Sequence, residues 1–134
     1  MTVTTTITFP SSHDTVVVTV SNGLSHNLVN IDVAVSWNPN KLKLLAVLAP
    51  GEYTVIPGGV YWWPRSLGSN ASRDYMLLMC RKGMVTPPVI ASARDLDADV
   101  EVPDQKNIPS NFDICAPEAR ARKPVKPKRR AKKA

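Results

Sequence analysis

Leu28-Val29-Asn30-Ile31-Asp32-Val33-Ala34-Val35-Ser36-Trp37 is the stretch that decides the fold. Val29, Ile31, Val33, Val35 and Trp37 fall on one side of an extended chain, and Asn30, Asp32, Ala34 and Ser36 on the other. Side chains alternate across a β-strand, so this pattern describes a strand with one face in a core and one face wet. Upstream, Thr15 to Ser21 is a second strand rich in Val and Thr, ended by the turn pair Asn22-Gly23. Before it, Thr2 to Phe9 alternates with period two and is broken by Pro10-Ser11-Ser12-His13-Asp14.

The same punctuation continues downstream. Asn38-Pro39-Asn40 is a turn, Lys41 to Leu48 a short apolar strand, and Pro50-Gly51 a break. Tyr53 to Ile56 reads as a strand and Pro57-Gly58-Gly59 as a turn. Val60-Tyr61-Trp62-Trp63 reads as an aromatic strand closed by Pro64, and Leu67 to Ser72 as a polar loop. Arg73 to Cys80 and Pro88 to Arg94 are further strands, parted by Lys82-Gly83 and Pro87. From Asp95 to Val102, acidic residues alternate with Leu96, Ala98, Val100 and Val102, which fits one strand with an acidic outer face or two short pieces around a bend. Short strands recurring every ten or so residues, with no helical period, predict an all-β protein: a single immunoglobulin-like sandwich of about seven to nine antiparallel strands. The expected domain is 1–115, followed by a tail at 116–134.

That tail carries the charge. Of the seventeen residues from Glu118 to Ala134, nine are basic (Arg120, Arg122, Lys123, Lys126, Lys128, Arg129, Arg130, Lys132 and Lys133) and one is acidic, a net +8. The whole chain is +6, so the first 117 residues carry −2. Val125 is the tail's one branched aliphatic residue, and it has no aromatics, so it is predicted to be disordered and biased to extended forms by its prolines. Spread cations without stacking platforms imply salt-sensitive, sequence-independent attraction to a polyanion. Lys128-Arg129-Arg130 also fits a nuclear-import signal. No signal peptide and no stretch long enough to cross a membrane is visible, which predicts a chain not secreted by a signal peptide.

Val18-Thr19-Val20-Ser21-Asn22-Gly23, Asn30-Ile31-Asp32-Val33, Pro50-Gly51-Glu52-Tyr53, Val60-Tyr61-Trp62, and Ile90-Ala91-Ser92-Ala93 leading into Leu96-Asp97-Ala98-Asp99 occur in that order. Together they resemble an immunoglobulin-like repeat domain, the conserved-repeat module of bacterial surface proteins and of phage and viral structural proteins. The tail resembles those of linker-histone type and the basic tails of virion proteins. The first resemblance covers residues 2 to 108 and implies a sandwich with a structural or adhesive role and no catalytic residues.

Chemistry is sparse. His13 and His26 both read as loop residues, and no nucleophile elbow, phosphate loop or metalloprotease motif is present. Asp95, Asp97 and Asp99 are the candidate calcium ligands. Val100 and Lys106 stand where a calcium loop needs glycine and glutamate, and the alternatives are a solvated strand face, an edge guarded by charge, or a dock for the chain's own or a neighbour's tail. Asn70-Ala71-Ser72 matches a glycosylation pattern and reads as a turn. Cys80, in an apolar run, reads as a buried thiol. A bridge to Cys115 is open, and a reducing compartment disfavours it. Trp62 and Trp63 must point to opposite faces, so one belongs to the core and the other is exposed or covered by a partner. Tyr61, Trp63 and Arg65 are therefore the candidate protein contact.

These readings predict a non-enzymatic structural protein without cofactor, membrane partner or small-molecule substrate. The expected role is a minor capsid or decoration component of a virion, with capsid proteins as partners of the sandwich and DNA or RNA as possible partners of the tail. The alternatives are a cytoplasmic or nuclear nucleic-acid-associated protein binding through the tail, and a surface adhesion module.

Overall fold

A computed structural model describes residues 2–10, 13–48 and 51–116. The nine basic tail residues, Arg120 to Lys133, lie outside the described residues. Among those described, the elements are β1 (Val3–Thr8), β2 (Thr15–Asn22), β3 (Leu28–Trp37), β4 (Leu42–Val47), β5 (Tyr53–Ile56), β6 (Gly59–Leu67), β7 (Ser72–Arg81), β8 (Pro88–Asp95) and β9 (Val100–Asn107), with no helix. They form two antiparallel sheets, ordered β1-β2-β7-β4 and β5-β6-β3-β8-β9. The expected all-β sandwich is thus the observed architecture.

Alternation builds the core. Ile7, Val16, Val18, Val20, Tyr75, Leu77 and Met79 from the first sheet meet Ile31, Val33, Val35, Trp62, Val89 and Ala91 from the second. Apolar area removed from water contributes roughly 25 cal/mol per Å², so these interdigitated side chains supply the main folding force. Trp62 packs edge-on against Tyr75 with ring centroids 4.9 Å apart and ties the two sheets at their centre. Phe112 and Ile108 plug the end from which the chain leaves, with Phe112 edge-on to Phe9.

Arg81 organises that end. It is buried, meets no carboxylate among the described residues, and donates from its guanidinium to the carbonyls of Phe112 (3.0 Å), Met84 (3.1 Å) and Ser110 (3.1 Å). A buried cation is tolerable only when its donors are met, and here loop carbonyls meet them. Beside it, Cys80 and Cys115 are joined as a disulfide, which replaces the expected buried thiol. The cause is the isolated parallel bridge Arg81–Ile114, which lays the last described residues along the end of β7.

Three strand readings are corrected. Val29 is exposed because β3 changes register against β6 between Leu28 and Ile31, and a slip of one residue exchanges faces; Asp32 keeps the outer face that alternation gives it and is buried there by Tyr61 and Arg94. Pro64 does not close the aromatic strand: β6 runs on to Leu67, with the proline at the irregularity between Trp62 and Arg65, where no ladder bond is required of it. The reading of Leu67 to Ser72 as one loop shortens to a turn, since Leu67 and Ser72 are strand ends; Asn70 there has φ +59°. Of the two readings of the acidic alternation, the second is the observed one: two strand pieces, β8 and β9, around a turn over residues 96–99, with Asp99 at φ +55°. β2 and β3 lie in different sheets, so the chain crosses from one to the other after Asn22-Gly23. The buried Asn22 amide donates to the carbonyls of His26, Leu67 and Gly68 and fixes the crossover.

The long sides of the sandwich are finished differently. Where β1 meets β9 the strands are tied across the sheets: Thr5 Oγ1 donates to the Val102 carbonyl (2.7 Å), the Ile7 N–H to Asp104 (2.8 Å), and Lys106 Nζ to the Ile7 carbonyl (2.8 Å). On the other side β4 and β5 are both edges.

Candidate docking face

The outer surface of the five-stranded sheet follows from the registers. Tyr61 stands between Thr54 on β5 and Ala34 on β3, and Ala34 pairs on its other side with Ser92 of β8. One step along, Ser36 lies between Gly59 and Ile90, and Ile56 pairs with Gly59. Paired residues share a face, so Ile56, Tyr61, Ile90 and Ser92 surround a floor of small side chains.

Trp63 lies at the rim of this floor. It is 51% exposed, while its neighbour Trp62 is 1% exposed, the division that alternation requires. Its indole N–H donates to Thr54 Oγ1 at 3.0 Å, so the ring stands in water with its orientation fixed. An ordered exposed tryptophan has already lost most of the rotamer freedom that docking would take from it.

A polar cluster borders the floor. Asp32 Oδ2 accepts from the Tyr61 hydroxyl at 2.8 Å and from Arg94 Nη2 at 2.9 Å. Burial pushes the Tyr61 hydroxyl above its ordinary value, and the hydrogen bond and charge of Asp32 push it further the same way. Arg94 is about half exposed, and Ser92 donates to Glu101 at 2.8 Å. The face thus presents fixed aromatic, apolar and charged groups.

Of the three predicted contact residues, Tyr61 and Trp63 share this face, both beside Thr54. Arg65 does not join them: the register shift intervenes, and its side chain lies against Gly51. The sequence reading missed Asp32 and Arg94. The one charged residue in a ten-residue strand, flanked by Ile31 and Val33, is the signal that could have found the first.

The calcium candidates are not assembled. Asp95 Oδ1 accepts the N–H groups of Asp97 and Ala98 and caps the turn, and Asp97 accepts from Asn30. No group of three or more metal-ligating side chains occurs among the described residues. His13 and His26 flank opposite ends of β2, eight residues long and so roughly 26 Å, and cannot share one site. A cavity of about 490 Å³ opens between the sheets near the acidic turn, lined mainly by Val3, Leu24, Ala93, Val100 and Val102, with His26 and Asp95 at its polar side.

No protein-family model matches the sequence, and no curated protein matches it. Among solved structures, the chain is similar to the cohesin module of the family 33 glycoside hydrolase from Clostridium perfringens ATCC13124, with a TM-score of 0.57 at 14% identity over 84% of this chain and 98% of that module. It is also similar to a chain of the Coh-OlpA–Doc918 complex of Clostridium thermocellum, described as a type I cohesin–dockerin complex, with a TM-score of 0.51 at 12% identity over 81% of this chain and all of that one. At such identities the likeness is one of fold: a β-sandwich of the shape that cohesin modules take.

Proposed function

We propose that this chain is a non-enzymatic protein-binding module whose sandwich docks on another protein through the outer face of the five-stranded sheet, and whose basic tail adds attraction to an anionic surface. The observation that carries the reading is Trp63, half exposed yet held by Thr54 beside a floor of small residues. Exposed aromatics with an apolar surround and a charged border have the composition of binding hot spots. The solved cohesin–dockerin complex supports it by analogy of fold, since one of these sandwiches is there described in complex with a protein. The setting we assign is a virus particle, with capsid subunits as partners of the sandwich and the genome or an acidic subunit groove as partner of the tail. The resemblance to repeat modules of viral structural proteins supports that setting.

The test places a photo-crosslinking amino acid at position 63, and separately at Thr6 on the opposite sheet, in the full chain in its native source. The proposal expects one defined protein adduct from position 63 and none from position 6. Equal adducts, or none from either, refute the docking face. Binding of the full chain to random duplex DNA over a salt series, against a chain ending at Cys115, tests the tail. Binding that falls with salt and disappears on truncation supports contact with a genome, and absence of binding at low salt excludes it.

A second reading has one observation in its favour. The Cys80–Cys115 bridge suits an oxidising compartment, and there the same docking face would serve a surface adhesion module.

A further inference from the structure

We infer that two copies of this chain pair antiparallel through β5, joining their five-stranded sheets into one continuous sheet. The inference goes beyond the docking reading and does not depend on it. It starts from the sheet edges. Exposed edge strands template further pairing, and proteins guard them with cross-ties, bulges, charge or proline. β1 and β9 are tied to each other by Thr5, Ile7, Asp104 and Lys106. β4 carries a register irregularity between Leu44 and Ala46 and a lysine, Lys43, within the strand. β5, Tyr53-Thr54-Val55-Ile56, is guarded only by its shortness: within its four residues there is no charge, no proline and no irregularity, and all are exposed.

The ladder to β6 then fixes the register. The Trp63 N–H donates to the Glu52 carbonyl at 2.9 Å, so Glu52 and Trp63 form a hydrogen-bonded pair. In an antiparallel ladder such pairs alternate, so Thr54–Tyr61 and Ile56–Gly59 are hydrogen-bonded to β6, and Tyr53 and Val55 turn their N–H and C=O groups to the free edge.

A two-fold axis perpendicular to the sheet must pair residues of the same face. Centred on Thr54, it sets Tyr53 of each copy opposite Val55 of the other, and each such pair exchanges both main-chain bonds. It also puts an aromatic ring against a β-branched side chain, a favourable cross-strand pair. Centred on Val55 instead, it sets Tyr53 against Pro57, which has no N–H to give. Centred on Tyr53, it sets Val55 against Gly51, which lies outside β5 at φ +95°; the strand is therefore self-complementary in one register, and a second copy is the occupant it fits.

The contact is small, so the dimer is expected to be weak, half formed at roughly 100 μM. Sedimentation equilibrium of the full chain, in salt sufficient to screen the tail, should show monomer passing to dimer over that range. Val55→Pro deletes an N–H that faces only the free edge, and should give monomer throughout with unchanged circular dichroism. Val55→Lys, which keeps the N–H but adds a guarding charge, should do the same, so one misfolded variant does not decide the matter. Wild-type protein that stays monomeric throughout, or a dimer that survives in both folded variants, overturns the proposal. An adduct of position 63 with a second copy reports this pairing and an adduct with another protein reports the docking face, so the two readings fail separately.

Discussion

Replacing Cys115 by alanine tests how the chain's last described segment is held. The bridge to Cys80 closes a loop of sequence separation 35. On the chain-entropy account, cross-linking a loop of that length removes freedom from the unfolded chain worth about 3.8 kcal/mol at 25 °C. That is a large part of the 5–15 kcal/mol by which domains are ordinarily stable. The native arrangement should outlast the bridge, because the main chain already holds it: the Arg81 N–H donates to the Asp113 carbonyl at 2.8 Å, and the Cys115 N–H to the Arg81 carbonyl at 2.6 Å. Cys115 is only partly buried, so its truncation opens no core cavity. The variant should keep the near-ultraviolet circular dichroism of the wild type and lose stability through the unfolded state. With a urea slope of about 1.5 kcal/mol per M, the midpoint should fall by roughly 2.5 M. Reductant should move the wild type to the variant's midpoint and leave the variant where it is. Equal midpoints for oxidised wild type and variant would refute the reasoning, and would mean that the thiols are unpaired or that the terminal segment is outside the cooperative unit.

Three further perturbations probe separate parts of the argument. Arg81→Met leaves three loop carbonyls without their donor and should destabilise by roughly 3 kcal/mol in urea titration, and a loss below about 1 kcal/mol would show that water replaces the guanidinium. Burial pushes the Asp104 carboxyl upward, but the Ile7 N–H, Lys106 and the Gln105 backbone outweigh it and hold the group below its ordinary value. A depressed carboxyl contributes stability that is present above the unfolded value, about 3.9, and is lost as pH falls through the folded one. Asp104→Asn should therefore flatten the acid limb of stability below about pH 4, read as thermal midpoint against pH, and an unchanged limb would place the acid sensitivity elsewhere. Tyr61 should ionise above the ordinary tyrosine range by ultraviolet titration, and Asp32→Asn should bring it back toward that range. A Tyr61 curve that ignores the substitution would refute the Asp32 contact.

The fold was legible where period two is strict and blind where register slips. Val33, Val35 and Trp37 are buried as their alternation predicts, whereas Val29, four residues from Val33 in the same pattern, is exposed beyond the irregularity at Ile31. Nothing in the residues announces such a slip, because it is set by the pairing with β6. Sheet order was equally invisible: β3 lies between β6 and β8, partners chosen by long-range packing. The docking face was half legible for the same reason. Adjacent tryptophans must diverge, which exposes Trp63 from sequence alone. Asp32 meets Arg94, 62 positions away, only because β3 and β8 are neighbours. The Cys80–Cys115 bridge likewise depends on where the chain turns after Phe112.

Thr54 connects the two proposals. Its hydroxyl fixes Trp63 on the outer face, and the proposed two-fold axis passes between it and the Thr54 of the second copy. Pairing through β5 would leave both outer faces on the same side of one enlarged sheet and bring two Trp63 rings to flank the axis. Two copies of a docking face held rigidly together bind a repetitive surface with the second contact made intramolecular, so avidity can exceed the single affinity by about 10² or more without any new contact. A capsid lattice is such a surface, and a single isolated subunit is not. Val55→Pro is therefore expected to weaken binding to assembled partner while leaving binding to an isolated partner subunit unchanged, whereas Trp63→Ala is expected to weaken both. If Val55→Pro weakens both alike, β5 belongs to the docking contact itself, and the paired sheet is not what multiplies it.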